Sequence, residues 1–247
     1  MEDMSRRLAL SGVAGAVSGA TLLLAGCAKP GGKDAGGDEV SATEDLMREH
    51  GVLRRILVVY RESAAALRTP RAALDAAALA QAASLFRTFG EDYHERKLEE
   101  QHIFPAVRKA GGEAAGLVAT LLAQHDRGRE ITAFIQAKCA GGKIATGDGE
   151  PLARALETFA RMYEAHTAYE DTVVFQAWKK TLSKTRLAEV GDEFEDIERE
   201  TFKGDGFDMA IDEVARIEQR LGLHDLGRFT APAAGSGASP PSQTPNG

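Results

Sequence analysis

Between residues 43 and 181 the apolar positions recur three and four apart, the period of helices that bury one face. Leu46, Leu53, Ile56, Leu57 and Tyr60 mark a first helix, predicted from an N-cap at Thr43 to about Leu67, with Thr69-Pro70 as its break. A second is predicted to start near Pro70 or Arg71, since proline suits a first helical turn. It continues through Leu79, Phe86, Phe89 and Tyr93 to about Lys109, with Gly111-Gly112 as the stop. Pro105 lies inside this stretch and is expected to kink it or end it early. Leu117, Val118, Leu121, Leu122, Ile131 and Phe134 place a third helix from about Glu113 to Ala140, and a fourth runs from Glu150-Pro151 to roughly Thr181. Four helices with short connections predict an all-α, up-down-up-down four-helix bundle over residues 43–181. Two shorter helices, near Lys184–Phe202 and Phe207–Leu221, form a predicted helical extension over 182–230, and the Ala/Pro/Ser/Gly stretch at 231–247 reads as a disordered tail.

The first forty residues break this pattern and read as an address. Arg6-Arg7 precede an apolar, small-residue run from Leu8 to Ala25, which has the length of a signal core. Leu24-Ala25-Gly26-Cys27 resembles a bacterial lipobox, in which cleavage before the cysteine leaves a thiol that receives lipid. The expectation is a signal peptide at 1–26, a lipid on Cys27 that anchors the chain to the membrane, and a flexible Gly/Lys/Asp-rich tether at 27–42. Ser5-Arg6-Arg7-Leu8 also resembles a twin-arginine export signal, and Ala28 after the cysteine leans toward the outer membrane. The body is therefore expected in the periplasm or outside the cytoplasmic membrane. With Cys27 lipidated, Cys139 is the remaining thiol, so no internal disulfide is available. The net charge of -7 over 247 residues, without a basic stripe beyond the N-terminus, argues against a nucleic-acid partner.

The chemistry lies in the histidines. Of six, His50, His94, His125 and His166 each fall well inside a different predicted helix, among apolar residues. One such histidine is ordinarily a satisfied core residue. Four at one level of a core need four separate partners, and a metal satisfies them together. Glu170 follows His166 by one helical turn on the same face. Glu99 lies five residues after His94, about 140° round an ideal helix, so it either reaches a different metal or the helix widens there. Paired carboxylates flanked by imidazoles suit two iron ions. His102 sits close in sequence on an uncertain face, and His224 falls in the extension.

Leu-Met-Arg-Glu-His50-Gly-Val-Leu-Arg-Arg, Tyr93-His94-Glu95 leading into Leu98-Glu99-Glu100-Gln101-His102-Ile103-Phe104-Pro105, Ala-Gln-His125-Asp-Arg-Gly-Arg, and His166-Thr-Ala-Tyr-Glu170-Asp171 together resemble the hemerythrin-like (HHE cation-binding) domain. The resemblance implies metal ligands at His50, His94, Glu99, His125, His166 and Glu170, holding two Fe ions in an oxo- or hydroxo-bridged centre. It also implies O2, another small diatomic or peroxide as the partner. Two departures qualify it. Reversible oxygen carriers of the family carry two histidines a turn apart on the third helix, whereas here Arg129 stands four residues after His125. That removes a nitrogen ligand, places a cation near the site and leaves a position for an exogenous ligand. The five-residue spacing also leaves Glu100 as an alternative bridge to Glu99. Binding or sensing of a small ligand, turnover of peroxide or nitric oxide, and iron storage all remain open.

Overall fold

The computed structural model describes residues 40–69 and 74–234, all within one unit spanning 39–247. The expected signal peptide, lipobox and tether up to residue 39, the expected break at Pro70 and the expected tail beyond residue 234 lie outside the described residues. Among the described residues there are six helices and no strand, an all-helical arrangement consistent with a hemerythrin-like bundle. No described helix is long and apolar enough to cross a membrane.

Helix α1 spans Ala42–Arg68. Its cap is Ser41 rather than the expected Thr43: the Ser41 hydroxyl accepts from the Glu44 N–H, the bond an N-cap makes three residues into the helix. Helix α2 is composite, an α stretch Ala76–Leu85, a wide stretch Phe86–Ile103, and an α stretch Phe104–Ala110. It starts after Asp75, whose carboxylate accepts from the Ala78 N–H, not at Pro70 or Arg71. Pro105 does not end it, since the helix runs on to Ala110. The wide stretch closes with the Phe104 N–H on the Glu99 carbonyl, and the proline sits where the bonding register returns to the ordinary α pattern. A missing N–H is least costly at the first turn of a new register. Gly111 and Gly112, with φ of 77° and 78°, then turn the chain as expected, in a region where a side chain would be strained.

Helix α3 spans Gly112–Lys138. Helix α4 is composite too: Gly149–Tyr169, a single wide turn Glu170–Val174, and Phe175–Lys180. Helices α5 (Lys184–Phe202) and α6 (Gly206–Leu221) pack back on the others. Trp178 of α4 stacks on Phe194 of α5 at 5.8 Å and 3°. Arg55 of α1 grips Glu218 of α6 through two bonds of 2.9 and 2.6 Å, and Arg220 reaches Asp75 at the start of α2.

Beneath the histidines lies an aromatic layer drawn from three helices. Phe159 and Tyr163 of α4 stack at 4.5 Å, and Phe86 of α2 meets both edge-on at 4.8 Å. Tyr60 of α1 closes the layer against Phe159 at 5.3 Å. All four rings are buried. Each such burial contributes about 1.5–3 kcal/mol, and edge-to-face pairing adds to it. This layer keeps water from the lower side of the polar centre above.

Candidate metal centre

The four helices each send one histidine to a common level. His50 and His94 face each other with Nε2 atoms 3.0 Å apart, and His125 and His166 do the same at 3.2 Å. Glu99 lies between the pairs: one oxygen is 3.4 Å from His94 Nε2 and the other 3.3 Å from His125 Nε2. Glu170 Oε2 is 3.0 Å from His166 Nε2 and 3.5 Å from His50 Nε2, so it too touches both pairs. All six side chains are buried.

The wide turns explain how α2 and α4 reach this arrangement. Backbone bonds from Phe104 to Glu99 and from Phe175 to Glu170 span five residues, so each glutamate sits at the carbonyl that opens a wide turn. In such a stretch residue i+5 returns toward the face of residue i, which brings Glu99 beside His94 despite the spacing. Of the two candidate carboxylates on α2, Glu99 faces both histidine pairs and Glu100 points to the flank. The two phenylalanines that accept this geometry then stack on imidazoles, Phe104 on His125 at 5.5 Å and Phe175 on His50 at 5.4 Å.

A second layer of polar groups fixes each ring. His94 Nδ1 meets Glu49 at 2.5 Å, His125 Nδ1 meets Glu100 at 2.9 Å, His166 Nδ1 meets the Gln124 side-chain oxygen at 2.9 Å, and His50 Nδ1 meets Asp171 at 2.7 Å. These contacts form a closed circuit: α1 holds the histidine of α2, α2 that of α3, α3 that of α4, and α4 that of α1. Each partner is an acceptor, so each Nδ1 carries the hydrogen and each Nε2 is turned inward as the available ligand atom.

The donor set fits a cation. Neither oxygen of Glu99 nor of Glu170 has a hydrogen-bond donor, although all four are fully buried. Buried carboxylates without donors cost several kcal/mol, a penalty that a bound cation removes. Glu99, His125, His166 and Glu170 bring one ligand atom each within 4.8 Å of one another, and His50, His94 and Glu99 form a second such group. The two groups share Glu99. The residues 41–178 match the hemerythrin HHE cation-binding domain, more than half of the chain.

The chain belongs to the hemerythrin HHE family.

It is also 41% identical over 192 residues to the uncharacterised proteins Rv1995 of Mycobacterium tuberculosis and Mb2018 of Mycobacterium bovis, covering 77% of this chain and 74% of each relative. No solved structure matches it. HHE proteins bind metal ions, typically iron, and the His/Glu clusters of this chain could hold them.

Within this HHE centre, charge is distributed unevenly between the two sides. Burial opposes a proton on His94, but the carboxylates of Glu99 and Glu49 outweigh it and raise its pKa well above the ordinary imidazole value. His125 is raised in the same way, against its burial, by Glu95, Glu100 and Glu99. Burial and the nearby His125 bring His166 down to about 4. Burial and the charge of Glu99 push Glu170 well above the usual carboxylate range, whereas Glu99, despite its burial, is held well below it by His94 and His125. Without metal, one imidazole of the His125–His166 pair therefore carries a proton that its partner accepts.

Arg129 does not point into the centre. Its guanidinium bonds to Glu100, to Glu95 at 3.2 Å and to Asp126 at 3.3 Å. Glu95, Glu100 and His125 Nδ1 would otherwise form a third cation-sized group, and the arginine fills that role. Tyr163 donates to Glu95 at 2.6 Å and Tyr93 donates to Glu49 at 2.9 Å, so both outer carboxylates are anchored. His102 is exposed and lies edge-on to Phe194, and His224 is exposed in the segment after α6. Sequence reasoning missed Glu49, Glu95, Gln124 and Asp171. A usable signal was present: each of the four residues that anchor a ring directly flanks an inward residue in sequence, Glu49 before His50, Glu100 after Glu99, Gln124 before His125 and Asp171 after Glu170.

Proposed function

We propose that this chain is a non-haem di-iron protein of the cell envelope, binding or sensing O2 or a related small ligand. In this reading His50, His94, Glu99, His125, His166 and Glu170 hold two iron ions in the core of an up-down-up-down bundle over residues 43–181, and a lipid on Cys27 tethers the exported body. The observation that carries the reading is the set of four Nδ1-anchored imidazoles whose Nε2 atoms converge on two carboxylates that lack any hydrogen-bond donor. A pair of iron ions would supply reversible binding or reduction of a small oxygen or nitrogen species. The chain's own groups do the rest: Glu49, Glu100, Gln124 and Asp171 orient the rings, Phe104 and Phe175 cover them, and the aromatic layer excludes water.

A second reading, turnover of peroxide or nitric oxide, is favoured by the engagement of Arg129 with Glu95 and Glu100. Arg129 stands where oxygen carriers have a histidine and bonds away from the six converging side chains, so a metal there would keep a position for an exchangeable ligand. The full chain, loaded anaerobically with ferrous iron and assayed for metal content, is expected to hold two irons. Oxygen is then admitted and the visible charge-transfer band followed. A band that reverses under vacuum supports binding; irreversible conversion with product released supports turnover. Fewer than two metals per chain removes both.

A further inference from the structure

Between α3 and α4 a groove of about 210 Å³ opens from the surface and ends on the centre. Leu117 and Leu121 of α3 and Ala165 and the Tyr169 ring of α4 line it, and its floor is His166 with Gln124. His166 is also the least buried of the six converging side chains, at 3% exposed against 1% or less for the others. Leu121 lies one helical turn before His125 on the same face, so the groove runs onto the His125–His166 pair.

The polarity of the groove restricts what it admits. Thr120 and Tyr169 lie exposed at the surface, where water satisfies them. Gln124 and His166 are already bonded to each other at 2.9 Å. A charged or strongly hydrated solute would lose more water contacts here than the Gln124 side-chain N–H2, the free polar group below the rim, can replace. A small uncharged gas loses almost nothing. We propose that this groove is the binding and entry site for an uncharged diatomic gas, dioxygen or nitric oxide, on its way to the His125–His166 side of the centre. Peroxide and hydrated iron are poor occupants by the same argument. The proposal rests on the metal-binding reading for its destination, but the groove itself can be tested without metal.

In the metal-free full chain, xenon is expected to shift the methyl resonances of Leu117, Leu121 and Ala165, and Ala165→Trp, which fills the groove from its rim, should abolish the shifts at the two leucines. In the iron-loaded chain, stopped-flow binding of nitric oxide to Ala165→Trp should slow at least tenfold. Dissociation should slow by the same factor, leaving the equilibrium constant within twofold, because a blocked entrance changes both rates and not the bound state. Ala165 is exposed and touches no ligand, so metal content should stay at the wild-type value. Xenon shifts confined to other parts of the core, or a nitric oxide on-rate within twofold of wild type, overturn the proposal. A chain that takes up no iron removes the di-iron reading alone, and the xenon measurement still decides whether the groove holds gas.

Discussion

Gly128 of α3 offers a sharp test of how the centre is supported. A Cβ placed there would overlap the Tyr163 hydroxyl oxygen and lie 2.9 Å from two ring carbons, closer than real Cβ contacts come. The ring has nowhere to go: Tyr163 is 1% exposed, stacked on Phe159, edge-on to Phe86 and tilted against His166 at 5.1 Å. Gly128→Ala must therefore push the hydroxyl away from Glu95. Losing a hydrogen bond to a buried carboxylate costs about 1.5–3 kcal/mol. Crowding a packed core adds about 1–3 kcal/mol, and replacing a helical glycine returns about 1 kcal/mol. The expected net loss is about 3 kcal/mol, which lowers the Tm of a domain this size by about 6–12 °C. Gly116 supplies the control, because it lies on the same helix with nothing within 4 Å of its added Cβ. Gly116→Ala should stabilise by up to about 1 kcal/mol. Thermal unfolding of both variants, metal-free, followed by circular dichroism, is sufficient. Equal effects of the two substitutions would refute the argument that Tyr163 is wedged against the α3 backbone.

Three other outcomes are expected. Glu99→Gln, which keeps the shape and removes the charge shared by both groups, should abolish uptake of both metals by elemental analysis, whereas Glu100→Gln should retain them with affinity lowered about 10–100-fold in chelator competition. Adding ferrous iron to the metal-free chain at neutral pH should release about two to three protons, from His94, His125 and Glu170, as read with an indicator dye in weak buffer; release of none contradicts the raised pKa values. Burial, together with Glu95 and against Thr132 and Arg87, raises Glu91 to about 7. The unfolded chain thus binds fewer protons than the folded one between about pH 4.5 and 7, and stability from this group falls as pH rises through that window by up to about 3 kcal/mol. Urea titrations of metal-free Glu91→Gln should show a shallower decline than wild type, the remainder coming from other raised acids such as Glu170, and a wild-type slope in the variant would exclude Glu91 as a source.

The helices were legible because their apolar spacing is local. A stripe at three- and four-residue intervals must be covered, whatever covers it, so α1, α3 and α4 end within two residues of their expected bounds. Caps were less legible: Ser41, Thr43 and Asp75 are all capable side chains, and the choice among them depends on where the first backbone turn closes. Pro105 misled for a related reason. A proline reads as a break only when the bonding register on both sides is the same, and here it changes.

At the centre, sequence by itself determined which chemistry was available: one histidine per helix at corresponding depth, and carboxylates near enough to two of them. Side-chain type and helical phase carry that information. Tertiary structure alone decided that Glu99 rather than Glu100 faces both histidine pairs, because the answer turns on a widened helix of Phe86–Ile103. It also decided where Arg129 points and which residue anchors each ring. Those anchors act across helices, Glu49 on His94 and Asp171 on His50, separated by 45 and 121 positions. No periodicity along a chain encodes such pairings; they exist only once packed helices set the inward face of each one against the flank of the next.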